Sequence, residues 1–251
     1  MGEKPSGYLI GGILITILGS ICFSAKAIFV KLAYFETSVD AISLLALRMV
    51  FSIPFFMGSA LVSSSKKGNV KFTRKQWAYI AVIGCLGYYV SSLLDFLGLQ
   101  YISAGMERLI LFMYPTIVVV MSALLSKEKI KTRQWVALLL TYAGLVVAFT
   151  GEVSLGLSND SDFYLGCFLV FACAVTFATY IVGSGKLIPI VGPVKFNSYA
   201  MSFAGIGVLA HFFATSEVSL FSFEGKVYLF AFLMAIISTV VPSYLRSEGI
   251  K

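Results

Sequence analysis

Charge is scarce in this chain, and histidine scarcer. Of 251 residues only 12% are Asp, Glu, Lys or Arg, and the single histidine, His211, has no second His or Cys close by to build a metal site. No GxSxG or HExxH occurs, which leaves a membrane hydrolase or metalloprotease without its nucleophile or ligands. GSGK at 183–186 lacks what a phosphate loop needs, since Tyr180 stands where Gly is required and Leu187 where Ser or Thr is; it reads as a helix end. The four cysteines, Cys22, Cys85, Cys167 and Cys173, fall in apolar stretches without metal-type spacing, so they read as small buried hydrophobes. No enzyme activity and no cofactor is expected.

What fills the chain is apolar. Hydrophobic residues make up 59%, and the mean hydropathy is +0.92, well beyond a soluble domain. A bilayer core about 30 Å thick takes about 20 apolar residues per helix, and runs of that length recur between short polar breaks. Unpaired backbone is not tolerated in lipid, so the choice is helices or a closed barrel, and unbroken apolar runs without alternation select helices. The expected fold is an all-α polytopic membrane protein with eight spans, at 8–30, 41–62, 76–97, 104–125, 135–151, 163–184, 196–215 and 227–247. The first is too long for a signal-peptide core, and Lys26 and Lys31 follow where a cleavage site would lie.

The net charge of +7 is arranged by loop rather than spread over a soluble face, which argues against a nucleic-acid partner. One loop carries Lys66, Lys67, Lys71, Arg74 and Lys75; another carries Lys127, Lys129, Lys131 and Arg133 against Glu128. These loops are expected on the cytoplasmic side. The intervening loop, with Glu152, Asp160 and Asp162, is expected outside, and counting back places the N-terminus in the cytoplasm. Lys186 and Lys195 follow the rule, and Lys226 is an exception.

The chain also resembles itself. Residues 8–32 align with 163–187, and GYYVSSLLDFLGLQ (87–100) aligns without gaps to STVVPSYLRSEGIK (238–251), at offsets of 155 and 151. With five spans per unit the copies run in opposite directions, the inverted-repeat plan of many secondary transporters. The units expected are 8–151, complete, and 163–251, which stops where the first continues into ISAGMERLILFMYP. Either the chain is a fragment, or its halves are unequal.

The run from Leu97 to Phe149 resembles the EamA-type repeat of the drug/metabolite transporter superfamily. It carries the Tyr101 to Ala104 turn, Pro115 in the next span, then Glu128, Gln134 and Gly144. The resemblance implies ten spans in an inverted 5+5 arrangement, of which this chain supplies about eight. It further implies a secondary transporter of the bacterial inner membrane, exporting a small metabolite such as an amino acid by alternating access. The alternatives are an exchanger of organic or sugar-phosphate anions and a truncated, non-transporting membrane protein. The expected partners are a small-molecule substrate and the lipid bilayer, with a homodimer as an open alternative.

Five charges stand inside the spans. Lys26, Arg48, Asp95, Glu107 and Arg108 all fall in the external third once position is converted to depth at about 1.5 Å per residue. An ionisable residue at mid-helix costs about 2.5–3.5 kcal/mol on insertion scales, so partners or a water-filled cavity are expected. Asp95 and Glu107 are expected to pair with Arg48 or Arg108, with Lys26 offsetting a further charge; the simpler reading has Lys26 and Asp95 snorkelling to the headgroups. The pairing reading makes the five a substrate pathway or gate; a static network that only joins helices is its rival. Tyr88, Tyr89, Tyr114 and Tyr180 are further pathway candidates, against ordinary packing. Pro54, Pro115 and Pro242, each inside a span, are candidate hinges. Trp77 and Trp135 read as interfacial anchors.

Overall fold

The computed structural model describes residues 6–65, 70–127, 130–153 and 161–249. Lys66, Lys67, Glu128, Lys129, Asp160, Ile250 and Lys251 lie outside the described residues, as does the side chain of Glu152.

Among the described residues every regular element is helical. They run α1 (Ser6–Ser24), α2 (Lys26–Glu36), α3 (Ala41–Ser65), α4 (Arg74–Gly84), α5 (Ser91–Tyr101), α6 (Ala104–Leu111), α7 (Tyr114–Ser126) and α8 (Thr132–Val153), then α9 (Ser161–Ser184), α10 (Ile188–Val191), α11 (Pro193–Thr215), α12 (Gly225–Ala235) and α13 (Val241–Gly249). Seven stretches of the described chain are long and apolar enough to cross a membrane. The remaining expected span, 135–151, falls on α8, whose 22 residues extend about 33 Å. The protein is an all-α polytopic membrane protein.

Several spans are not single helices. The first is interrupted at Ala25, which separates α1 from α2 and turns its N–H back to the Cys22 carbonyl. The fourth is interrupted at Phe112 and Met113, between α6 and α7. Two others pass through wide π turns, Cys85–Val90 between α4 and α5 and Ile236–Val240 between α12 and α13. Such turns leave a local bulge, and hydroxyls settle on the carbonyls nearby: Ser91 Oγ donates to Gly87 O, and Thr239 Oγ1 to Met234 O. Cys85 and Ile236, the first residues of the two π turns, are 151 positions apart, the offset of the gapless sequence alignment.

The prolines follow these interruptions. Pro54 lies within α3 and leaves the Val50 carbonyl without its helical donor. Pro115 is in the first turn of α7, and Pro242 is the second residue of α13, directly after a π turn. A first-turn proline gives up an N–H that has no acceptor within its own helix.

Local chemistry sets the helix starts. Asp40 Oδ2 accepts from the N–H groups of Ile42 and Ser43 and caps α3. Thr73 and Gln76 form a reciprocal capping box at α4. Helices then approach closely where side chains are small: a Cβ on Gly98 would stand 2.6 Å from Val170 and 3.0 Å from the Gly166 carbonyl, which is how α5 lies against α9. The most thoroughly buried helices are α3 and α11, packed on each other and flanked by α4, α5 and α12. Lys226, the exception among the loop charges, ion-pairs with Glu36 at 2.9 Å.

Candidate functional site

The turn at Tyr101 to Ala104 is a helix cap. Ile102 is extended, Ser103 Oγ accepts from Met106 N at 3.0 Å, and α6 begins at Ala104. The cap places Glu107 in the first turn of α6, where the helix dipole favours a carboxylate. Because α5 ends at the same turn, Asp95 and Glu107 are brought to neighbouring helices at one end of the bundle.

Lys26 lies between them. Its Nζ is 2.7 Å from Asp95 Oδ2 and 3.9 Å from Glu107 Oε1, and Arg108 Nε is 3.1 Å from Glu107 Oε2. The carboxylate side chains of Asp95 and Glu107 are fully buried and that of Lys26 is 7% exposed. Snorkelling is therefore not what Lys26 and Asp95 do; each reaches inward to a partner of opposite charge. Both cations also face the Phe23 ring, Lys26 at 5.5 Å and Arg108 at 6.0 Å.

The cluster sits on the interruption of the first span. Lys26 is the first residue of α2, and Arg108 Nη2 donates to the Ser24 carbonyl at the end of α1, at 3.0 Å. A backbone carbonyl at a helix break needs a donor inside a membrane, and a guanidinium supplies one with charge. Beyond the break α2 is strapped to the end of α5: Tyr34 donates to the Phe96 carbonyl at 2.9 Å and Lys31 Nζ to that of Leu99 at 3.0 Å. Spans one, three and four are thus joined by two basic and two acidic side chains.

Arg48 stands apart, contrary to the expected pairing with Asp95 or Glu107. Among the described residues no carboxylate lies within 4.0 Å of it. Instead Nη2 donates to Ser92 Oγ at 3.0 Å and the guanidinium lies over the Phe96 ring at 5.0 Å. Lys26, at the start of a helix of its own, takes the Asp95 carboxylate at 2.7 Å, while the Arg48 guanidinium is taken up one turn away on the same face of α5 by Ser92 and over Phe96.

The tyrosines divide. Tyr180 donates to Tyr88, and Tyr88 donates to Asn197 Oδ1 at 2.6 Å, a hydroxyl chain linking α9, the first π turn and α11. Phe177 stacks on Tyr180, and Tyr114 meets Phe177 edge-on, so three of the four tyrosines lie along one aromatic line. Tyr89 turns away and pairs with His211 Nδ1 at 2.9 Å. Trp77 packs among Phe72, Tyr199 and Phe203, while Trp135 is exposed.

Ser92, Asn197 and the Ser24 carbonyl escaped sequence reasoning. Ser92 precedes Asp95 by three residues on one helix, a spacing that puts both on the same face and was available as a signal. Asn197 is a lone amide inside a span and was equally visible. The Ser24 carbonyl had no signal, since ILGSICFSAKAIFV reads as continuous helix.

Comparison with known proteins agrees with this architecture. Residues 10–150 match the EamA-like transporter family. An uncharacterized transporter, YcbK, of Bacillus subtilis (strain 168) is 26% identical over 245 residues, 96% of this chain and 77% of its own length. An uncharacterized inner membrane transporter, YicL, of Salmonella typhimurium is 22% identical over 242 residues, 95% of this chain and 78% of its own. A solved crystal structure superposes with a TM-score of 0.67 at 20% identity, covering 99% of this chain and 80% of that one, a likeness of fold. With a family match over more than half its length and a bundle of membrane-spanning helices, the chain belongs to the EamA-like transporter family and is a multi-pass membrane transporter.

Proposed function

We propose that the chain exports a small polar metabolite, an amino acid among the candidates, across the bacterial inner membrane by alternating access, with its N-terminus in the cytoplasm. Residues 8–151 and 163–251 act as two inverted units, a reading supported by the π turns at equivalent positions of the two. The charge cluster of Lys26, Asp95, Glu107 and Arg108 is the outer gate. One observation carries this: the cluster ties three spans together at a broken helix, so separating the ion pairs frees the α2 segment from α5 and α6. Broken helices beside ionisable groups are where secondary transporters open and close.

The test is export of radiolabelled amino acids from proteoliposomes by the wild-type chain and by Lys26→Met and Arg108→Ala. The gate reading expects altered transport rates at matched protein yield. Unchanged rates with lowered yield identify a static network.

Exchange of organic or sugar-phosphate anions is the second reading, favoured by Arg48, whose charge no carboxylate within ion-pair distance matches among the described residues. Counterflow of labelled phosphate esters against inorganic phosphate distinguishes it from one-way export.

A further inference from the structure

The cations of the gate cluster are each within ion-pair distance of a carboxylate, whereas Arg48, among the described residues, has none within 4.0 Å. It is 3% exposed, on a helix packed against α5, α11, α12 and the second π turn. A guanidinium carries five N–H donors and stays charged at any biological pH. Here one donor is used on Ser92 Oγ, the flat face is used on Phe96, and Nε has no hydrogen-bond partner among the described residues. The next buried cation along the chain shows the contrast: Lys195 Nζ donates to the Val70 carbonyl at 2.5 Å and lies over Phe72. On the π turn that packs on α3, Ser238 is 1% exposed and its hydroxyl also lacks a hydrogen-bond partner among the described residues. Two buried donors left open on neighbouring elements, one of them permanently charged, are costly unless something anionic visits them.

We infer that Arg48, oriented by Ser92 and Phe96, holds the carboxylate of the transported solute, which is a monoanion or a zwitterion. This rests on the transport reading above and names the chemistry that reading leaves open. The fork of a guanidinium matches the two oxygens of a carboxylate, and a single guanidinium without a carboxylate in ion-pair contact suits a single negative charge. A phosphate dianion would need a second free cation, and the two cations of the neighbouring cluster are already held by Asp95 and Glu107. Ser92 is a positioning residue, acting through the orientation of Arg48.

The experiment uses the whole chain in proteoliposomes and, for binding, in detergent with thermal unfolding as the readout. The probes are the twenty L-amino acids, the carboxamide of each, succinate and inorganic phosphate. The expected result is a set of amino acids that stabilise and are transported while their carboxamides bind at least about tenfold more weakly, the size of one lost charge-assisted contact. Arg48→Gln abolishes the difference between acid and amide, Arg48→Lys keeps part of it, and Ser92→Ala weakens acid binding while leaving amide binding alone. Should Arg48→Gln fail to fold, the acid and amide comparison in the wild-type chain together with Ser92→Ala still decides. Equal handling of acids and amides, unchanged acid binding by Arg48→Gln, or Arg48-dependent binding of phosphate alone overturns the inference while transport stands. Failure to move any probe in either direction removes the transport reading with it.

Discussion

Lys26 and Asp95, 69 positions apart in the chain, meet at 2.7 Å across the interruption of the first span. Both side chains are buried, and each is held by the other. That relationship explains how charges persist in a chain otherwise suited to lipid, and it sets the energetic stakes of the site.

Removing one member of a buried ion pair strands the other, at a cost of about 3–5 kcal/mol, while replacing both by apolar residues is often neutral. Asp95→Leu is therefore expected to lower thermal stability in detergent strongly, and Lys26→Met combined with Asp95→Leu to regain most of the loss. A double-mutant cycle on unfolding midpoints checks this. Simple addition of the two losses would show that the pair is not coupled.

Much of the fold was legible before any coordinates, for a physical reason. Lipid admits so few backbone arrangements that apolar run length alone located the spans, and α3, α9 and α11 cover the expected 41–62, 163–184 and 196–215. The interruptions were not legible. Ala25 and the π turns arise where tertiary contacts outbid the α-helical pattern, and nothing in SAKAIF or CLGYYV marks them except alignment of the two halves. In the site, that the five charges fall inside the spans was readable from position, but the pairing was not. Which cation meets Asp95 depends on how α2, α3 and α5 are rotated about their axes, and periodicity in a nearly uniform apolar helix carries little of that information.

Gly87 allows the Tyr180 ring to lie against the first π turn; a Cβ there would fall 2.2 Å from the ring carbon Cγ. Gly87→Ala is expected to cost about 1–3 kcal/mol through overpacking. Gly58→Ala, on a face of α3 where a Cβ would meet nothing within 4 Å, is expected to be neutral or to stabilise by up to about 1 kcal/mol. Equal melting temperatures for the two variants would refute the packing at Gly87.

The cap at Ser103 supports the placement of Glu107. Ser103→Ala is expected to cost about 0.5–2 kcal/mol, and Ser103→Asp to retain most of the stability. Chemical denaturation in mixed micelles reads the difference, and an Asp variant as weak as the Ala variant would remove the cap from the explanation.

Tyr180 and Tyr88 contribute unequally to their chain. Tyr180→Phe removes a terminal donor, for a loss of about 0.5–1.5 kcal/mol. Tyr88→Phe takes away both the acceptor of Tyr180 and the donor to Asn197, for about 1–3 kcal/mol. Unfolding of both variants, with Asn197→Ala as a third, checks the order; a more harmful Tyr180→Phe would contradict it.

The proposed gate is tested most directly by the accessibility of a position next to the cluster on α5. Ser92 lies one turn from Asp95 on α5, on the side that the proposed topology makes cytoplasmic to the cluster. A Ser92→Cys chain with the four native cysteines replaced by Ala is labelled with a membrane-impermeant maleimide from outside. Labelling is expected to be slow when the cluster is intact and at least about tenfold faster when Lys26→Met or Arg108→Ala opens the network, as population-shift arithmetic requires of a closure lost by more than 1.4 kcal/mol. Labelling at the same rate in all three backgrounds would contradict the account.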